Sequence, residues 1–169
     1  MTVTLIDERT DLASTLATHR GFLRHTAQGL TDEQATTRST VSELTIAGLV
    51  KHLIHGERNW TRFIVEGTSA MRFDEEAIAQ HLEHFRMREG ETLDGLLAEY
   101  ETVANETDEL LRSLPSLDVA HPLPEAPWFE GSVSWSARRV FLHLIAETAQ
   151  HAGHADIIRE ALDGQKTMG

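Results

Sequence analysis

The chain contains no cysteine. That excludes a disulfide framework, a thiolate-based zinc site and a cysteine nucleophile. Thiol chemistry, if this protein takes part in it, must use a thiol carried by a small molecule. Basic residues are scarce: 15 Lys and Arg stand against 27 Asp and Glu, a formal net charge of −12. Binding to a nucleic-acid backbone needs clustered cations, so nucleic acid is an unexpected partner. No N-terminal apolar targeting segment and no run of 18 apolar residues occurs, so the expectation is a cytoplasmic protein without a membrane partner. No Gly-rich phosphate loop, no Gly-x-Ser-x-Gly elbow and no His-Glu-x-x-His is present. Proline is confined to one stretch, at Pro115, Pro122, Pro124 and Pro127.

What the chain does have is a core's worth of apolar residues, 40% of its 169, in a length that fits one domain, 1–169. Their spacing is helical. A first helix is expected from about Asp7 to about Gln28, with Leu12, Leu16, His19, Leu23 and Thr26 on its stripe. Thr31-Asp-Glu-Gln34 reads as a capping box opening a short turn of helix. A second helix starts at Thr45 as N-cap, carries Ile46, Leu49, Val50, Leu53, Trp60, Phe63 and Ile64, and ends near Gly67. Residues 68–90 form a long connection with one helical turn around Glu75–Glu83. A third helix follows Thr92, with Leu93, Leu96, Leu97, Tyr100, Val103, Thr107, Leu110, Leu111 and Leu114 on its stripe, and Pro115 stops it. After a proline-rich loop, a fourth helix runs from beyond Ser134 to about Leu162, with Gly164 as its C-cap. No convincing strand pattern appears. The expected fold class is all-α, a four-helix bundle, with the first two helices as antiparallel neighbours.

The fourth helix holds Glu147-Thr-Ala-Gln-His151-Ala-Gly-His154. On a helical wheel with Glu147 at zero, His151 falls at about +40° and His154 at about −20°. Val140 and Ile158, above and below, fall at about +20°. A carboxylate and two imidazoles bracketed by apolar residues need partners, because unpaired burial costs several kcal/mol. A metal ion would satisfy all of them; solvent-side i,i+4 contacts are the plain alternative. Ligands from a second helix are then required, and the second helix offers His52 and His55. His52 is the better inward candidate, and His55 is expected to face solvent or to support a ligand. Glu57 falls near the apolar side, to accept a hydrogen bond from a ligating imidazole or to pair with an Arg. His143 could support the set from one turn before Glu147. His19 reads as a core histidine, and His25, His81, His84 and His121 as solvated. Trp128 and Phe129 could close over the site or anchor their loop. Two His and one carboxylate suit zinc first, with nickel, iron or manganese as alternatives, and leave coordination positions open for chemistry.

Gly48-Leu-Val-Lys-His52-Leu, Glu57 and Trp60 in the second helix resemble the DinB/YfiT-like superfamily of metal-binding helical proteins. So does the run from Leu142 through Glu147, His151, His154 and Asp156 to Gly164, as do Gly29-Leu-Thr-Asp-Glu-Gln34 and Phe85-Arg-Met-Arg-Glu-Gly-Glu-Thr92. The similarity is strongest to the actinobacterial mini-circle or DinB-type branch of unknown function. It implies a four-helix bundle with one divalent metal, held by a His of the second helix and two residues four apart on the fourth. Where many relatives have His-x-x-x-His, this chain has Glu147 and His151, as in the mycothiol-dependent maleylpyruvate isomerase branch. By resemblance, the ligands are His52, Glu147 and His151, with His154 as a fourth ligand or an acid/base group. The implied activity is thiol S-transfer or isomerisation with mycothiol or a similar low-molecular-weight thiol and an electrophile. The alternative is a non-catalytic, metal-binding or stress-associated bundle that forms a homodimer, for which an exposed apolar stripe on the first or third helix would speak.

Overall fold

The structure, a computed structural model, describes residues 6–71, 83–124 and 133–167. Its helices are α1 (Glu8–Ala27), α2 (Asp32–Thr36), α3 (Ile46–Glu66), α4 (Leu93–Ser113) and α5 (Ala137–Asp163). Each start is fixed by a side chain that accepts from otherwise unsatisfied backbone N–H groups. Asp7 caps α1, Thr45 caps α3, Thr92 caps α4 and Ser136 caps α5. The capping box at Thr31 and Gln34 forms in full at α2. Gly164 closes α5 in the left-handed conformation, φ 81°, that only glycine adopts without strain. The helical turn expected around Glu75–Glu83 lies, apart from Glu83, outside the described residues, as do His81, Trp128 and Phe129. Among the described residues no helix is long and apolar enough to cross a membrane.

The described residues bear out the all-α bundle, and one short two-stranded ribbon, for which no strand pattern was expected, accompanies its helices. β1 (Ala120–Pro122) pairs antiparallel with β2 (Ser134–Ser136), and β2 runs directly into α5. Three-residue strands are too short for alternation to show in a sequence. What holds the ribbon is tertiary: the Thr68 hydroxyl donates to the Pro122 carbonyl, and His121 Nε2 lies 3.1 Å from the Ile64 carbonyl. His121 is thus half-buried against the end of α3 rather than solvated.

Helix directions follow from named contacts. Arg138 pairs with Glu8 at one end of α1 and α5, and Arg159 donates to the carbonyls of Thr26 (2.6 Å) and Gln28 (2.9 Å) at the other. These helices therefore run parallel and, among the described residues, make the most extensive helix contact. Lys51 meets Glu91 and Arg58 meets Glu99, so α3 and α4 are also parallel. His52 meets His151 and Trp60 meets His143, which sets α3 antiparallel to α5. The bundle pairs α1 with α5, α5 with α3, and α3 with α4. The first two long helices, expected as antiparallel neighbours, do run antiparallel but touch little and face each other across the bundle diagonal. Residues 28–45 contain α2 and an extended stretch, enough chain to cross the end of the bundle instead of making a hairpin.

The core divides into two apolar clusters. One contains Leu23, Leu49, Val50, Leu53, Leu96, Val103, Ala155 and Ile158; the other contains Leu12, Leu16, Phe63, Ile64, Leu111, Val140, Phe141 and Leu144. Along each of the four long helices, a buried polar residue falls between them: Arg20, Glu57, Thr107 and Thr148. The Arg20 guanidinium pairs with the Glu57 carboxylate across the diagonal and reaches Asp108 at 2.9 Å. Burial pushes the Glu57 carboxyl up, and Arg20 opposes that shift. Arg20, 4% exposed, takes the interior place that helical spacing assigned to His19, which is only partly buried with its ring edge-on to Phe22. Of the two expectations for Glu57, the structure shows the ion pair with an Arg.

Truncating Arg20 leaves a buried carboxylate without its counter-charge. Arg20→Ala is expected to lower unfolding stability by about 3–5 kcal/mol. Urea denaturation checks this, with Arg20→Met/Glu57→Leu expected to be less destabilised than Arg20→Met alone.

Candidate metal centre

The N-terminal half of α3 is buried on nearly every side, from Ile46 through Ile54, including Lys51 (4% exposed) and His52 (8%). The cause is the stretch 83–92, which lies over it. A β-carbon on Gly48 would overlap the Phe85 carbonyl, so the absence of a side chain there permits the close approach. Lys51 Nζ donates to the Arg86 carbonyl (3.0 Å) and to both carboxylate oxygens of Glu91 (2.6 and 2.8 Å). Glu91 also accepts from the Arg88 backbone N–H at 2.6 Å. Held in this way, the Phe85 ring stacks on the His52 imidazole, centroids 4.1 Å apart and planes within 17°.

From α5, Glu147 and His151 project toward His52. Glu147 Oε2 lies 3.7 Å from His52 Nε2 and 3.5 Å from His151 Nε2. One ligand atom from each of the three residues lies within 4.8 Å of the others, and among the described residues this is the one such group of His, Asp and Glu. The two His rings meet edge to face, centroids 4.9 Å apart. Both imidazoles are nearly buried, at 10% and 12% side-chain exposure, while Glu147 at 34% marks the side that opens to solvent. His151, and after it His52, holds the Glu147 carboxyl well below the usual carboxylate range, against the opposing effect of burial. At 3.5 and 3.7 Å these contacts are longer than ordinary hydrogen bonds.

His154 belongs to the same stripe but outside the group of three. Its Nδ1 lies 3.3 Å from Nδ1 of His151, on the imidazole nitrogen that faces away from Glu147. His55 is half-buried and stacked on His84 at 3.7 Å, so neither is simply solvated. Burial, and then Lys51, pushes the His55 pKa down. His25 is exposed, as expected. His143 stands one turn before Glu147, its ring edge-on to Trp60 (4.7 Å) and Trp135 (5.2 Å), and burial pushes its pKa down. Trp60 and Trp135 stack on each other at 4.8 Å, and the Arg139 guanidinium lies 4.5 Å from the Trp135 ring centre. Sequence reasoning missed Gly48, Lys51, Phe85 and Glu91 as builders of the site. One signal was available: Gly48 and Lys51 interrupt an otherwise apolar helix start, a pattern that announces another segment packed on top.

The model of the mycothiol-S-transferase family matches residues 11–164 of this chain. The match takes in His52, Glu147, His151 and His154. Among solved structures, the chain is similar to YfiT from Bacillus subtilis, described as a probable metal-dependent hydrolase with an unusual four-helix bundle topology. Identity is 17%, the alignment covers 94% of this chain and 90% of that one, and the TM-score is 0.68. At that identity the likeness establishes the fold: a four-helix bundle of the YfiT kind. No curated protein matches the chain.

The close approach at Gly48 gives a direct test. Gly48→Ala forces its methyl group into the Phe85 carbonyl, and overpacking of this kind costs about 1–3 kcal/mol. Thermal unfolding of Gly48→Ala should show that loss, whereas Gly56→Ala, a helix position open around its α-carbon, should be neutral or stabilising.

Proposed function

This chain belongs to the mycothiol S-transferase family, and we propose that it is a divalent-metal-dependent enzyme acting with a low-molecular-weight thiol of the mycothiol type. The observation that carries the reading is the convergence of one carboxylate and two imidazoles from α3 and α5. The two separations from Glu147 support a single ion. Tetrahedral zinc with ligands at about 2.0–2.1 Å requires ligand atoms about 3.3–3.4 Å apart. The Glu147 separations of 3.5 and 3.7 Å are close to that edge and too long for good hydrogen bonds. The donor chemistry fits as well, since two imidazoles and a carboxylate suit zinc, nickel, iron or manganese and leave positions open.

In this reading His52, Glu147 and His151 hold the metal. The bound ion would supply Lewis acidity, favouring the thiolate form of a thiol near neutral pH. The chain's own residues do the rest. Phe85 and the neighbouring apolar side chains keep water from the His52 side. Glu147 sits at the open side, where a thiol and an electrophile can enter. The chain has no cysteine, so the sulfur comes from the co-substrate. In transfer, the thiol sulfur forms a bond to the electrophilic carbon and its proton is released, while the leaving group departs with the bonding pair of the carbon. The alternative dimeric, non-catalytic bundle called for an exposed apolar stripe on α1 or α4. Among the described residues the large exposed apolar side chains are Ile6, Val41, Val65, Val133, Leu142 and Ile157, none on either helix.

Metal analysis of purified protein tests the reading. Wild type is expected to carry close to one divalent ion per chain and His52→Ala/His151→Ala to fall to background. Equal content in the two would sink the assignment. Thiol consumption in the presence of an alkylating electrophile should fall to the uncatalysed rate in the same double variant. A wild type that leaves every low-molecular-weight thiol untouched would remove the transferase reading and keep the metal.

A further inference from the structure

We propose that His154 is a positioning residue: it accepts a hydrogen bond from Nδ1–H of His151 and so keeps Nε2 of His151 free for a metal. The inference rests on the metal-site reading above and adds a role for a residue outside the group of three. An imidazole can ligate through Nε2 only if that nitrogen carries no proton. A neutral ring must then carry its proton on Nδ1, and that N–H needs an acceptor where water is scarce. His151 has 12% side-chain exposure, and its Nε2 faces Glu147. Its Nδ1 lies 3.3 Å from Nδ1 of His154. Between two neutral rings this contact forms only if one Nδ1 bears a hydrogen and the other does not. Glu147 would attract a proton to Nε2 of His151, which is the tautomer that blocks ligation. A His154 ring that offers a bare Nδ1 favours the opposite tautomer and places its own proton on Nε2. The helix makes this geometry available, because residues three apart on α5 lie one above the other on one face.

This arrangement gives His154 no place as a fourth ligand, since its ring is engaged through the far nitrogen of a ligand. Ligating imidazoles that lose such a partner typically lose about 10–100-fold in metal affinity. The side-chain amide of Asn places an oxygen near the position of Nδ1 in His, so Asn is the conservative replacement and Ala the deletion.

Zinc affinity, measured by chelator competition, should fall about 10–100-fold in His154→Ala and return to near wild type in His154→Asn. Nitrogen-15 NMR of the metal-free protein should place the His151 proton on Nδ1 in wild type and His154→Asn, and shift it toward Nε2 in His154→Ala. Unchanged zinc affinity in His154→Ala would overturn the proposal. So would equal losses in the Ala and Asn variants, or a loss in His154→Ala as large as in His151→Ala, the result for a true ligand. If wild type bound no zinc, the metal reading would fall. The NMR comparison would still decide the hydrogen bond on its own.

Discussion

The ion pair between Arg20 and Glu57 is the constraint on which the architecture turns. It joins α1 to α3 across the bundle diagonal, where the helices otherwise touch little. Two charges removed from water are tolerated only with close pairing and further polar neighbours, which Asp108 and Thr107 supply. That requirement sets the rotation of the helices about their axes. With Glu57 turned to the centre, His52 stands about 140° away around α3. With Thr148 turned inward, Glu147 stands about 100° away around α5. Both therefore leave the central axis and meet in the seam between α3 and α5. A purely apolar middle layer could slide or rotate at small cost; a paired charge layer cannot without stranding a charge.

Of the two parallel helix pairs, only α3 and α4 follow one another in the chain; they need a long connection, and the chain uses it to build the site. The described end of the connection from α3 to α4, residues 83–92, lies on the start of α3. Lys51 and Glu91 tie it down while Gly48 lets it come close. The result is that His52 is buried beneath an aromatic ring, although it sits only two turns from the start of its helix. Along α3, the Phe63 and Ile64 turn packs core, and the His52 turn faces the seam with α5.

Much of this was legible in the chain. Helix starts were readable because Thr31, Thr45 and Thr92 act locally, through hydrogen bonds two or three residues ahead. The stripe of Glu147, His151 and His154 was readable because helical geometry alone decides which residues share a face. Of the two histidines of α3, the structure brings His52, the inward candidate, to Glu147, and not His55. What could not be read depends on contacts far apart in sequence. Arg20 looks like a surface residue until Glu57 is placed opposite it. The strands at 120–122 and 134–136 exist because they pair with each other and lie against the end of α3. Helix order around the bundle depends on contacts between elements, such as those of α5 with α1 and α3, which spacing within a helix does not record.

The make-up of the seam also bears on why this chain carries Glu where a second His would serve as a ligand. The protein as a whole is strongly acidic, at −12, yet the seam contributes a single carboxylate between two imidazoles. That carboxylate is ionised throughout the physiological range, because both rings favour its charged form. Under the proposed function, a divalent ion against one carboxylate would leave one positive charge in the seam, which would match the single negative charge of a thiolate. Two carboxylates would cancel the ion and give a thiolate nothing to balance. Three imidazoles would leave two positive charges to be balanced at a half-buried place. Under the proposed function, one Glu among two His would make the seam neutral when a divalent ion and an anionic sulfur are both present.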